Sequence, residues 1–374
     1  MRHIPVFSPV VTKEDVEAVR ATVEAGWISS AGPPIASFEA GFASFCGRKF
    51  CAGLNSGTSA LEAAVHACGI KPGDEVILPA FTIVSCVNAI VANGGIPVFV
   101  DIGPHDWNIG AESIIGAISE RTRAVMIVHM YGMPCDMAPI LKVVKDNGIY
   151  LIEDASQVHG ATVGDDRCGS FGDVSVFSFY ANKIITSGEG GAAVTNNPEI
   201  FEKVKNYRNL YFDDERRFKH THFGQNFRLT AMQAALAESQ LNRIDEILQK
   251  KRRIAARYEP IFDNLPIRKR VKDRVLRPAV FWMNAVEFES GTVNIQDLKK
   301  FLQHKGIETR YFFSNLVKIP YIKQKCVTAR DYTESNRAAA NGLYFPSGLD
   351  LEDEDFEKIE KSVMEYFGRA FTSE

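Results

Sequence analysis

The first two thirds of the chain alternate short apolar runs with stretches of helical period, and no other feature constrains the fold so tightly. Phe50 to Leu54, Glu75 to Pro79, Pro97 to Asp101, Ala124 to His129 and Ile149 to Glu153 read as buried strands. Helical patterns lie between them over Ser85–Asn93, Ala111–Ser119 and Met137–Asn147, and Asn55-Ser56-Gly57-Thr58 opens another that runs to about Ala67. Val174 to Phe179 and Ala192 to Thr195 are two further strands with no long helix between them. Strands alternating with helices build βαβ units, hence an α/β fold around a mostly parallel sheet covered by helices on both faces. Ligands of such sheets bind beyond the carboxyl ends of the strands. Strand ends are therefore where chemistry should lie.

Ahead of the first strand, Thr12 with Asp15 reads as a capping box before a helix through Val23, and a second helix covers Ile35 to Phe45. Thr230 to Phe262 reads as one long helical stretch. Beyond it the pattern loosens: a strand over Val280–Phe288, a helix over Ile295–His304, a strand over Thr309–Phe313 and a final helix over Glu354–Phe367. With 374 residues the chain is long enough for two domains. The change of pattern predicts a large domain over 1–250 and a smaller C-terminal α+β domain over 251–374.

Composition excludes several classes of partner. Lys plus Arg is 43 against 46 for Asp plus Glu, a net charge of −3, so no basic excess argues for nucleic acid or an anionic membrane surface. No run of 18 apolar residues predicts a membrane span, and MRHIPVFSPVVTKED has no apolar core of a signal peptide. Seven cysteines, an odd number without a C-x-x-C pair, read as reduced thiols of a cytoplasmic protein. His220 and His222 are spaced like a metal pair, but no Cys or carboxylate cluster completes a site, and no metal is expected. The KKRR run at 250–253 reads as a solvated helix face.

Three features could carry chemistry. Asp154 follows a buried strand, where a carboxylate is costly without a cationic partner; a helix cap or a structural ion pair would also explain it. Lys183, in FSFYANKIITSGEGG, lies just past an apolar strand. A desolvated lysine becomes a nucleophilic amine suited to Schiff-base chemistry, although a snorkelling lysine is commoner. Asn55-Ser-Gly-Thr58 stands between a strand and a helix, and its backbone N–H groups suit either a phosphate or an ordinary N-cap. No Walker loop and no G-x-G-x-x-G after a first strand is present. Together, a helix start for a phosphate, a carboxylate for a pyridine nitrogen and a lysine for an imine are the parts that pyridoxal 5′-phosphate needs.

At this level the chain resembles the DegT/StrS-type nucleotide-sugar aminotransferases across nearly its whole length. The resemblance is carried by Gly26-Trp-Ile-Ser-Ser with Gly32-Pro, Phe38-Glu39, NSGTSAL (55–61), PGDEVILPAFT (72–82), VHMYG (128–132), EDASQVHG (153–160), FSFYANKIITSGEGG (177–191) and NFRLTAMQAA (226–235). It implies an aspartate-aminotransferase-like fold of type I with pyridoxal 5′-phosphate as cofactor. It also implies transfer of an amine from glutamate to a nucleotide-linked 4-keto-6-deoxyhexose. The run around Lys183 and Phe281-Trp-Met-Asn284 is most like members that aminate GDP-4-keto-6-deoxymannose. In this likeness Lys183 is the imine-forming lysine and the acid/base. Asp154 pairs with the pyridine nitrogen, Gln157 lies by the phenolic oxygen, and Gly57, Thr58 and Ser178 hold the phosphate. Asn226 reaches the phosphate bound by a partner subunit, which implies a homodimer with shared active sites.

Two departures from the family pattern stand out. Ile83 occupies the place of a ring-stacking aromatic, and Phe345-Pro346-Ser347 stands where many relatives have a Leu-Pro-Leu-His-type stretch. Members that act as 3-dehydratases carry histidine at the position of Lys183, so the lysine argues for transamination. Another keto-sugar acceptor and a non-catalytic sensor remain the alternative readings. His129 and His159 either line the site or are structural. Arg228 and Arg310 are both candidates for a carboxylate or diphosphate.

Overall fold

The computed structural model describes residues 2–213, 215–216, 218–268, 276–327 and 331–372. Its strands are β1 (Phe50–Leu54), β2 (Glu75–Pro79), β3 (Ile96–Val100), β4 (Thr122–Val128), β5 (Tyr150–Asp154), the short hairpin β6 (Thr162–Val163) and β7 (Asp166–Arg167), then β8 (Val174–Ser178) and β9 (Gly191–Thr195). Seven of them form one sheet in the order β1-β9-β8-β5-β4-β2-β3. β2, β3, β4, β5 and β8 are parallel, whereas β9 is antiparallel to both β1 and β8. The reversal follows from the missing helix: without a crossover, β9 can only return antiparallel beside β8. The middle strands are buried along nearly their whole length, as expected of a sheet with helices on both faces.

Local signals set several boundaries. The Thr12 side chain accepts from Asp15 N–H while the Asp15 carboxylate accepts from Thr12 N–H, a capping box that starts the helix Lys13–Glu24. The helix Gly57–Ala67 starts at Ser56, whose hydroxyl accepts from Ser59 N–H. The expected long helix from Thr230 to Phe262 is instead two helices, Ala231–Leu241 and Ile244–Asp263. The break falls at Arg243, with φ −120° and ψ 22°, whose guanidinium bonds the buried Asp15 carboxylate and the Val10 carbonyl. The helix Ala111–Ile115 also stops short of its expected end, at Gly116.

A second, antiparallel sheet consists of β10 (Asn284–Glu287), β11 (Arg310–Tyr311) and β12 (Gly342–Phe345), in the order β10-β12-β11. The strand expected over Val280–Phe288 is shortened because Phe281 adopts φ 50°, in the left-handed region that a sheet cannot use. Pattern reading also missed the helices Pro198–Tyr207 and Thr333–Asn341.

Helix Ile244–Asp263 serves two apolar cores. Ile244, Ile247 and Leu248 pack with the large sheet, while Ile254, Tyr258, Ile261 and Phe262 pack with Val286, Leu343, Phe345 and the last helix, Asp353–Thr372. One expectation fails here: the 250–253 run is not wholly solvated. Arg252 and Arg253 are exposed, but Lys251 is 1% exposed, because it points along the apolar stripe of the helix rather than away from it. No disulfide joins any of the seven cysteines, all of which lie among the described residues. Among the described residues no helix is long and apolar enough to cross a membrane.

Candidate active site

β5 and β8 run parallel side by side, with Asp154 opposite Val176, so Asp154 and Ser178 both emerge at the carboxyl edge of the sheet. Asp154 is 2% exposed. Its Oδ1 accepts from Ser156 N–H at 3.0 Å, whereas its Oδ2 is met by the Cys86 thiol at 3.6 Å. A thiol is a weak donor. One oxygen of a buried carboxylate is thus left ready for a stronger, cationic partner.

Lys183 lies in the turn that follows β8, where its N–H donates to the Tyr180 carbonyl at 2.8 Å. The side chain is half-buried, and its Nζ sits 4.0 Å from the centre of the Trp282 ring. Burial pushes the amine down to about 8, and the negative charge of Asp154 acts in the opposite direction. The amine therefore reaches its nucleophilic neutral form near physiological pH, while the carboxylate that could pair with it lies close enough to be felt.

The start of helix Gly57–Ala67 closes one side of the site. Ser59 N–H is taken by the Ser56 hydroxyl at 3.1 Å and Ala60 N–H by the Ser56 carbonyl at 3.1 Å. Gly57 and Thr58, whose N–H groups precede these, have the free-donor geometry of a helix N-terminus. A Cβ on Gly57 would stand 2.7 Å from Ser178 Cβ, so only glycine lets the helix start approach this strand end. Exposed Thr58 bonds the hydroxyl of Ser85 at 2.8 Å. Ser85 and Cys86 both belong to the first turn of helix Val84–Ala92, and half-buried Ile83 is its N-cap. Gly57, Thr58 and Ser178 thus converge beside Asp154 and Lys183.

Gln157, 3% exposed, accepts Tyr131 N–H on its Oε1 at 2.7 Å. That bond fixes the amide orientation and leaves its NH₂ as a donor. Tyr131 has φ 50°, and a Cβ on the next residue, Gly132, would meet Trp282 N at 2.8 Å. Asn226 is separate from this group. It is exposed, on a segment where Phe227 O accepts from Asn55 N–H at 2.9 Å and Asn226 bridges to Asn209.

Of the histidines, His129 is structural. Its Nδ1 accepts Cys135 N–H at 2.9 Å and its Nε2 meets Glu153 Oε1 at 3.1 Å. The Cys135 bond assigns the proton to Nε2. His129, Glu153 and Cys168 present ligand atoms within 4.8 Å of one another, but both His129 nitrogens are engaged and burial pushes the Cys168 thiol up. That donor set is built for hydrogen bonding, not for a metal. His159 is fully buried against Phe177 and Phe179, and neither ring nitrogen has a bond among the described residues. Burial, and then the charge of Lys183, push it down to about 3.

The two candidate arginines are apart. Arg228 bonds Asn209 at 3.0 Å and, with Arg208, Lys205 and Ser29, lines a cavity of about 540 Å³ that does not include Lys183. Arg310 pairs with Glu308 at 3.2 Å. Sequence reasoning missed Trp282 and Cys86 as neighbours of Lys183 and Asp154. No local signal could have found them, since each comes from a distant element.

An α/β sheet with a desolvated lysine, an under-bonded carboxylate and a glycine-built helix start at one carboxyl edge defines a group-transfer enzyme that works through an imine-forming cofactor. The chain belongs to the DegT/DnrJ/EryC1/StrS aminotransferase family, whose model matches residues 9–364. It is 36% identical to GDP-perosamine synthase of Caulobacter vibrioides over 366 residues, covering 96% of each chain. It is 35% identical to GDP-perosamine synthase of Vibrio cholerae, covering 97% of this chain and 99% of that one. The crystal structure of the aminotransferase TlmJ from Streptoalloteichus hindustanus superposes with a TM-score of 0.92 at 27% identity, covering 98% of this chain and all 100% of that one.

Proposed function

We propose that the protein is a pyridoxal 5′-phosphate-dependent sugar aminotransferase that moves the amine of glutamate to C4 of a nucleotide-linked 4-keto-6-deoxyhexose, converting GDP-4-keto-6-deoxymannose to GDP-perosamine. The observation that carries this reading is the desolvated Lys183, in the turn after β8, within electrostatic reach of the under-bonded Asp154 at the end of neighbouring β5. The relatives named GDP-perosamine synthase support the acceptor. The residues also fit the cofactor: a buried carboxylate oxygen lacking a strong donor suits a protonated pyridine nitrogen, and the space kept open by Gly57 suits a phosphate.

When bound, pyridoxal 5′-phosphate supplies an electron-poor ring that makes the proton on the amine-bearing carbon removable. Asp154 keeps the ring nitrogen protonated by its negative charge. Gly57 and Thr58 N–H groups, with the Ser178 hydroxyl, hold the phosphate. Gln157 donates its NH₂ to the phenolic oxygen, since its carbonyl is committed to Tyr131. Lys183 takes the substrate proton and returns it in each half of the reaction, a role that an amine of pKa about 8 suits. Asn226, exposed on one chain, serves the phosphate site of a partner subunit in a homodimer. Residues 1–250 carry the cofactor and 251–374 complete the sugar side. Seven cysteines without a disulfide support a cytoplasmic location.

The test is a visible absorbance spectrum of the purified protein before and after glutamate, followed by a panel of keto-sugar nucleotides. A cofactor band that glutamate shifts, with amine transfer to the GDP-linked keto sugar, bears the reading out. No band after adding pyridoxal 5′-phosphate overturns it.

A further inference from the structure

Lys251 is the one member of the 250–253 run that the proposed reaction does not use and solvent does not reach. Its Nζ donates to two carbonyls, Trp282 O at 3.1 Å and Ser347 O at 2.6 Å, and it lies 5.0 Å from the centre of the Phe7 ring. No carboxylate pairs with it among the described residues. Burial brings its amine down to about 7, and even a neutral amine keeps two N–H donors for its two carbonyls.

These two carbonyls flank the pairing of β10 with β12, where Asn284 stands opposite Phe345. The same helix reaches the same turn again through Tyr258, whose hydroxyl donates to Pro346 O at 2.8 Å. Ser347, in the stretch that departs from the family pattern, is fully buried and accepts Asn284 N–H on its hydroxyl at 2.9 Å. The Phe345-Pro346-Ser347 departure thus builds a lock on the 281–284 segment.

That segment carries Trp282. Its indole N–H donates to Asn182 O at 2.7 Å, next to Lys183 in the chain, and its ring covers Lys183 Nζ at 4.0 Å. The neighbouring Phe281 has φ 50°, so the segment is held in a conformation that a non-glycine residue adopts only under constraint. A buried two-carbonyl clamp supplies that constraint.

We infer that Lys251 is a positioning residue for the chemistry at Lys183, acting by holding the backbone of Trp282 so that the indole ring encloses the reactive amine. The inference rests on the transamination reading for its catalytic meaning and on geometry alone for the clamp. Asp154 is the charged group that acts on Lys183, and nearby His159 is held neutral in the range where the amine titrates, so a shift in its titration on changing Lys251 or Trp282 reports the enclosure when these two are untouched.

The experiment uses the full chain as wild type, K251M, W282F and K183A. In cofactor-free protein, labelling with trinitrobenzenesulfonate across pH, with mass spectrometry of the peptide that carries Lys183, reads the titration of that amine without catalysis. The wild-type midpoint is expected near 8. K251M and W282F should each raise it by about one pH unit, as water returns to the amine. In the loaded enzyme, the kcat of the glutamate half-reaction should fall about tenfold with KM within about twofold. A wild-type midpoint in K251M, whatever W282F shows, or a shifted midpoint with unchanged kcat, overturns the inference. If K251M does not fold, K251R decides in its place, since it keeps a cationic donor on the helix but moves it off the two carbonyls, and the same midpoint and kcat outcomes apply. K183A separates the two levels: if it still converts glutamate, the transamination reading fails, while the labelling midpoints still test the clamp.

Discussion

His129 Nε2 donates to Glu153 Oε1 at 3.1 Å, both side chains fully buried, and Glu153 directly precedes the proposed cofactor carboxylate, Asp154. Glu153 also accepts from the N–H groups of Gly169, Phe171 and Gly172 and from the Ser175 hydroxyl. This acid anchors the strand end that presents Asp154, so the site stands on a charged group that never meets substrate.

Glu153→Gln should destabilise the fold by about 3 kcal/mol, because a buried acceptor of charge-assisted bonds is replaced by a group that must also place two donors. Urea unfolding at neutral pH measures it. A loss below about 1 kcal/mol would show that the network is replaceable.

The same carboxyl predicts acid sensitivity. Burial alone would raise it, but the hydrogen bond from His129, then those from Gly169 N–H and the Ser175 hydroxyl, outweigh burial and bring it down to about 2 from its ordinary 4.5. A lowered carboxyl stabilises the fold fully above its unfolded value. That contribution, about 3 kcal/mol for a shift of this size, should fade as pH falls from 4.5 through 2. Unfolding free energies over this range in wild type and Glu153→Gln should converge at the acid end. Parallel curves would assign acid unfolding to other groups.

Asp154→Asn keeps the shape and removes the charge. The glutamate half-reaction, followed by stopped-flow absorbance, should slow by about 10²–10⁴-fold, the range of a lost acid–base or charge contribution. The variant should still fold, since Ser156 N–H finds an acceptor in the amide oxygen. Wild-type rates would remove Asp154 from the proposed role.

Gly57→Ala sets a Cβ 2.7 Å from Ser178 Cβ. Crowding of this kind costs about 1–3 kcal/mol, and the phosphate cradle should lose about tenfold or more in affinity for pyridoxal 5′-phosphate. Fluorescence titration of cofactor into cofactor-free protein tests it. Unchanged affinity would place the phosphate elsewhere.

Capture of the cofactor needs the neutral amine of Lys183. Because burial holds that amine near 8, the capture rate should climb with pH up to about 8 and level off above it. An unperturbed lysine would keep climbing to about 10.4. Mixing experiments at a series of pH values distinguish the two, and Lys183→Ala should show no capture at all.

The alternation of strand and helix, the Thr12–Asp15 capping box, the helix start at Ser56 and the strand-end positions of Asp154 and Lys183 were all legible in the sequence. Each depends on period or spacing within a few residues, where the backbone itself is the ruler. The sheet order was half legible: the missing helix between β8 and β9 marks the reversed strand, but not its seat between β8 and β1. The cover of Lys183 by Trp282, the thiol at Asp154, the burial of Lys251 and the network on Glu153 were not legible. In each of these a side chain is paired with a group from a different element, from 16 to 100 residues away in the chain. Which polar groups lose water, and which partners then satisfy them, is settled only when those elements pack. The sequence by itself determined which groups stand at the strand ends; tertiary packing decided which of them are desolvated, because burial is a property of neighbours and not of order along the chain.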